Sequence, residues 1–249
     1  MCEIGGMSPM DYLAFLRERA VKRRKEDAAR EGVELNDPKR PGAQWRIYST
    51  LSYAVTFGGK RYAGYSGTPG GMSHQKSEED KSNVFMETDQ AKRRLDRLQG
   101  IDPSKSFDPK KIGVPGLSGS SRPYCRCAEA AALSIAISKG ETVDNLVFCA
   151  FTSPKYDDKP DCVFSPCPNC SMWLNRFAGG YFTRKTDQNK LLQAGKDTLA
   201  AKHMAPDTGR NRARRDSCDF IINPPRKVKD ITFILDKEVY VLRCFKGAA

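Results

Sequence analysis

Four side chains in two short stretches have the types and spacing of a metal site: Cys127 and Glu129 in "RPYCRCAEAAAL" (residues 122–133), and Cys167 and Cys170 in "SPCPNC" (residues 165–170). Three cysteine thiolates on zinc leave a fourth position for water, whose pKa then falls toward neutrality. A fourth sulfur would close the site and make it structural. Cys125 is therefore the residue on which two readings divide: Cys125-Arg126-Cys127 is half of a structural clip, or Cys127-Ala128-Glu129 is half of an active site. Glu129, on the first turn of a helix, can stand beside a metal without ligating it and move protons as a general acid and base. An acid on an otherwise apolar helix has no other evident use, which favours the second reading.

These residues need helix starts, because unpaired N–H groups and the helix dipole stabilise a negative sulfur there. Residues 128–139 contain no breaker, are rich in Ala, Leu and Ile, and end at Gly140, which predicts a buried helix beginning at Cys127. "VDNLVFCAFTS" follows as a short apolar run of the kind covered on both faces of a sheet. A strand end, "CVFS", then leads through a proline turn into a second helix carrying Met172, Trp173, Leu174 and Phe177. Upstream, "WRIYSTLSYAVTF", Gly58-Gly59 and "KRYAGYSG" predict a hairpin, followed by a Gly-rich loop and a polar helix over 75–99. Residues 8–31 read as a charged helix capped by Ser8 or Asp11, with Leu13, Leu16, Ala20 and Val21 as its apolar stripe. After the second helix the chain reads as basic and loop-like before two final strands, "CDFIIN" and "ITFILDKEVYVLRCF". The order of elements implies a layered α/β sheet rather than a bundle or a sandwich of sheets.

Cys-Ala-Glu followed later by Pro-Cys-x-x-Cys resembles the signature of the zinc-dependent cytidine deaminase superfamily, standing here as Cys127-Ala128-Glu129 and Pro166-Cys167-Pro168-Asn169-Cys170. The resemblance implies that Cys127, Cys167 and Cys170 hold Zn2+ and that Glu129 shuttles protons while a zinc-activated water adds to C4 of cytosine. It implies a layered α/β/α sandwich around a mixed sheet of about five strands. It also implies that the main chain of Ala128 and the carbonyl of Ser165 meet the edge of the base. The catalytic domain would span residues 45–249, after a charged helical extension and linker over 1–40. The Ser-Pro-Cys form is similar to that of polynucleotide deaminases, and the loop "GYSGTPGG" looks most like the toxin-type, YwqJ-like group. Tyr65, Phe164 and Trp173 read more readily as core residues than as substrate contacts.

Lys and Arg outnumber Asp and Glu by 42 to 30, a formal charge of +12, which favours a polyanionic partner. Single-stranded DNA or RNA is the expected substrate, held by Lys and Arg of the basic first helix and of the stretch from Arg210 to Lys229; "KRRK" in that helix reads as a nuclear address or a nucleic-acid contact, although a solvated helix face is the commoner use of such a run. Turnover of free cytidine, a nucleotide or a modified nucleoside is the alternative, and a non-catalytic, zinc-stabilised binding module is the third. Any immunity or targeting partner is left unidentified. Nine cysteines are an odd number, which forbids a complete disulfide framework, and the four that fall in C-x-C and C-x-x-C clusters suit a metal in a reducing, intracellular compartment better than bridges. Cys149, Cys162, Cys218 and Cys244 read as small hydrophobes, and His74 and His203 as solvent-facing. Neither a signal peptide nor a membrane span is expected from the hydropathy pattern.

Overall fold

The computed structural model describes residues 3–31, 49–66, 127–152, 163–202, 222–224 and 226–245. The polar helix expected over 75–99, the Gly-rich loop beyond Ser66, the basic run 210–221 and most of "CDFIIN" lie outside them, as do Cys125, Cys162, Cys218, His74 and His203.

The expected hairpin is present as β1 (Leu51–Thr56) and β2 (Arg61–Tyr65), paired antiparallel with Ala54 opposite Tyr62. Strand β3 (Leu146–Phe151) is buried at every residue and lies antiparallel to β1. A two-residue strand, β4 (Val163–Phe164), returns beside the end of β3, with Phe164 opposite Ala150. Strand β5 (Gly180–Arg184) runs parallel to β3, and the hairpin β6 (Val228–Leu235) and β7 (Glu238–Phe245) completes the sheet. The order across the sheet is β2-β1-β3-β5-β7-β6, with β4 paired to β3 off this path. The class is thus α/β with a mixed sheet, which among the described residues has seven strands rather than about five.

Two differences account for the larger sheet. Residues 180–202, expected as loop, form β5 and the long helix α4 (Lys185–Lys202). "GYFTR" is too short to announce itself, yet it is buried by pairing with β3 on one side and β7 on the other. The last apolar run is two strands rather than one, because Asp236 and Lys237 both adopt positive φ (49° and 67°) and reverse the chain. That is the backbone of a two-residue hairpin turn, built here without the usual glycine.

Helices lie against both faces. On one, α2 (Ala128–Ser138) and α3 (Pro168–Phe177) pack on Ala54, Phe148, Tyr181 and Phe245, with Trp173 edge-to-face on Phe148 at 5.3 Å. On the other, α1 (Pro9–Glu31), within the segment set apart as residues 1–40, lays Tyr12, Leu13, Leu16 and Ala20 on Tyr53, Val147, Phe151, Phe182 and Leu242. Ser8 caps α1 by accepting from Asp11 N–H (3.2 Å) and donating to its carboxylate (2.6 Å), with Pro9 at the first helical position. Arg17 ties α1 to the β6–β7 turn by pairing with Asp236 and donating to Tyr240 (3.0 Å). Within "KRRK", Arg24 is not solvated. It is 1% exposed and donates to the carbonyls of Ser49 (2.9 Å), Phe151 (3.2 Å) and Thr152 (3.0 Å), which satisfies its buried guanidinium. No described helix is long and apolar enough to cross a membrane.

Candidate metal centre

Both helices expected to carry the cysteines begin where the sequence places them. Cys127 is the N-cap of α2 and Cys167 the N-cap of α3, so Ala128 and Pro168 open the helices. Proline at that position costs nothing, because its missing N–H would have had no partner inside the helix. Cys170, one turn into α3, points its N–H at the Cys167 sulfur (3.4 Å). A sulfur thereby fills the role that serine or aspartate usually plays in a cap.

Helix α2 owes its position to packing. Its C-terminus closes with Gly140 at φ +83°, as Gly140 N–H meets Ile137 O (3.0 Å) and Glu141 N–H meets Ala136 O (3.2 Å). The Glu141 carboxylate accepts from Tyr62 (2.6 Å) and Lys60 (3.4 Å) and so binds the helix end to β2. In mid-helix the backbone of α2 sits directly on Gly64. A Cβ there would lie 2.4 Å from Ala132 N and 2.7 Å from the Ala131 carbonyl carbon, so this approach requires glycine.

The two helix starts bring together Cys127, Cys167 and Cys170, whose sulfurs lie within 4.8 Å of one another. Among the described residues this is the one cluster of three or more such side chains able to hold a metal. Cys127 Sγ and Cys167 Sγ are 3.6 Å apart. Tetrahedral zinc with Zn–S bonds of about 2.3 Å would separate its sulfurs by about 3.8 Å, so the donor set fits that ion in both element and spacing. Glu129 joins the cluster from α2, with Cys170 Sγ–H donating to its Oε2 at 3.6 Å. The residue is only 4% exposed. Burial first, and the nearby Cys167 sulfur second, push its pKa up to about 7. The Cys127 thiol is pushed well up by its contact with Cys167, and the Cys170 thiol by burial and then by its two cysteine neighbours. Without a metal both remain protonated at neutral pH.

No family model, curated protein or solved structure matches this chain.

The other expected contacts divide. Ala128 is buried at the start of α2, and Ser165 lies in the link between β4 and α3. Trp173 is core, and Tyr65 donates to Asp27 (2.8 Å) from a half-buried position. Phe164, expected in the core, is 37% exposed. Its register opposite Ala150, two residues from Phe148, sets it on the sheet face that carries α2 and α3. Cys149 and Cys244 are buried, as expected of small hydrophobes.

A hydrogen-bonded set that no local motif announces lies behind the Pro-Cys turn. Ser165 Oγ donates to Asp187 Oδ2 (3.0 Å) and accepts from Thr183 (2.6 Å) and Arg184 N–H (3.2 Å), while Ser171 donates to Pro166 O (3.2 Å). The available signal was Asp187 itself, an acid in the first turn of a helix that reads as loop from its polar composition.

Proposed function

We propose that this protein is a zinc-dependent hydrolytic deaminase converting cytosine to uracil in single-stranded DNA or RNA, on a cytidine deaminase-like layered sandwich. The observation that carries the reading is the buried Glu129 carboxyl beside three clustered sulfurs. A purely structural site has no need of an acid that costs energy to bury. Cys127, Cys167 and Cys170 would hold the ion, which when bound supplies a Lewis acid that makes water nucleophilic near neutral pH.

The rest of the work falls to the chain. Glu129, which burial holds above the ordinary carboxylate range in the metal-free protein, is placed beside the three sulfurs to serve both halves of a proton relay. It accepts a proton from the attacking water at Oε2 and returns one to the departing exocyclic nitrogen as ammonia leaves. The main chain at Ala128 and Ser165, at the two helix approaches, would meet the Watson–Crick edge of the base. Phe164 offers an exposed aromatic face on the same side of the sheet. The +12 charge suits a polynucleotide held through its phosphates.

The test is to incubate the zinc-loaded full chain with single-stranded DNA, double-stranded DNA, RNA and cytidine, and to read uracil formation. Conversion of a single-stranded polymer that falls steeply with added salt is expected. Salt-insensitive turnover of cytidine alone would replace the polymer with a free nucleoside. No conversion of any substrate by zinc-loaded protein would leave a binding module.

A further inference from the structure

We propose that Asp187 is a positioning residue for the metal-binding cysteines of α3, acting through the hydroxyl of Ser165; this rests on the metal-site reading above. A serine hydroxyl has one hydrogen to give and two lone pairs to fill. At Ser165 all three are used: the hydrogen goes to Asp187 Oδ2, and the lone pairs take Thr183 Oγ1–H and Arg184 N–H. The same Asp187 oxygen accepts Arg184 Nε–H at 2.7 Å, which fixes the carboxylate independently of Ser165. Its helix is fixed in turn. Gln188, the next residue, donates to Asp230 Oδ2 (3.1 Å), and Asp230 is held by Arg243 through two bonds of 2.9 Å.

Little freedom remains between this anchor and the first sulfur of α3. Pro166 has a locked φ, and its carbonyl is held by Ser171 from within α3. The path from Ser165 to Cys167 is thereby fixed at both ends. Metal sites tolerate displacements of only about 0.2 Å in a ligand, so release of the Ser165 hydroxyl should be felt at Cys167 Sγ. Asp187 itself is on another helix and contacts none of the ligands in the described contacts, so its effect would be one of placement.

The experiment uses the full chain and measures zinc affinity by competition with a chromophoric chelator, together with the visible absorption bands of the cobalt-substituted protein. Asp187→Ala and Ser165→Ala are expected to weaken zinc binding about 10- to 100-fold and to shift the cobalt bands. Ser165→Thr, which restores a hydroxyl, should recover most of the affinity. Asp187→Asn, which keeps an acceptor for the hydroxyl, should fall between wild type and Asp187→Ala. Asp197→Ala, which removes an exposed acid paired with Gln193 on the same helix, should match wild type. Asp187→Ala and Ser165→Ala proteins that melt earlier but keep wild-type affinity and spectrum would overturn the proposal, leaving a structural brace only. Should Asp187→Ala fail to fold, unchanged affinity in both Ser165→Ala and Asp187→Asn would overturn it equally. A wild-type protein that binds neither zinc nor cobalt would overturn this proposal and the metal-site reading together.

Discussion

The two helix starts that make the cluster are built differently. The start of α3 is held by polar contacts: Cys167 caps its own helix by accepting from Cys170 N–H, Ser171 holds Pro166 O, and Ser165 is bonded to β5 and α4. The start of α2 has no side-chain cap bond at Cys127, and the helix is located instead by a small-residue face pressed onto Gly64 and by a closed C-terminal end. At the metal-bearing start, α3 is held by hydrogen bonds, whereas α2 is held by steric fit in mid-helix, with hydrogen bonds only at its far end. The difference teaches where each half is vulnerable: α3 to loss of a single polar partner, α2 to the addition of a single carbon.

The largest effect should come from the property that the halves share. Cys127 on α2 and Cys170 on α3 both hold their protons at neutral pH, so zinc must displace one from each. Zinc affinity should accordingly fall at least about 100-fold for each unit of acidification while both thiols are protonated. Calorimetry in two buffers of different ionisation enthalpy reads the protons directly, and release of fewer than two would remove the parity between the halves.

Next comes the steric half. Gly64→Val puts carbon into the backbone of α2 and should cost about 3 kcal/mol, read by denaturant unfolding of the metal-free protein. Unaltered stability would mean that α2 is not seated as described.

The carboxyl between the halves gives a pH signature. Glu129 has a folded pKa of about 7 against an ordinary 4.5, so its contribution is fully present below pH 4.5 and is lost as pH rises to 7. A shift of that size corresponds to about 3 kcal/mol. The stability difference between metal-free wild type and Glu129→Gln should open in the variant's favour over that window. A difference constant from pH 4 to 8 would place the carboxyl in water. The smallest effect belongs to the polar half: Ser171→Ala should cost about 1 kcal/mol by thermal melting, the usual worth of one hydrogen bond.

What was legible in the sequence follows from the same division. Cys127, Glu129, Cys167 and Cys170 could be read because helix starts, Gly140 and the proline turn are local signals carried by the residues themselves. The hairpin β1–β2 and the buried run of β3 were legible for the same reason. Strand β5 was not, because five residues become a central strand only through β3 and β7, which pair with them from distant parts of the chain. Arg24 looked like part of a solvated charge run, since nothing in "KRRK" reveals the three carbonyls that receive it. Asp187 stayed hidden because its partner, Ser165, is supplied by a different element.

The most direct test of the central claim compares wild-type protein and Glu129→Gln on single-stranded DNA and RNA, with zinc content and melting temperature measured on the same samples. A proton shuttle beside a metal predicts that the variant keeps its zinc and its fold while uracil formation falls by at least about 100-fold. Equal rates in the two zinc-loaded proteins would contradict it.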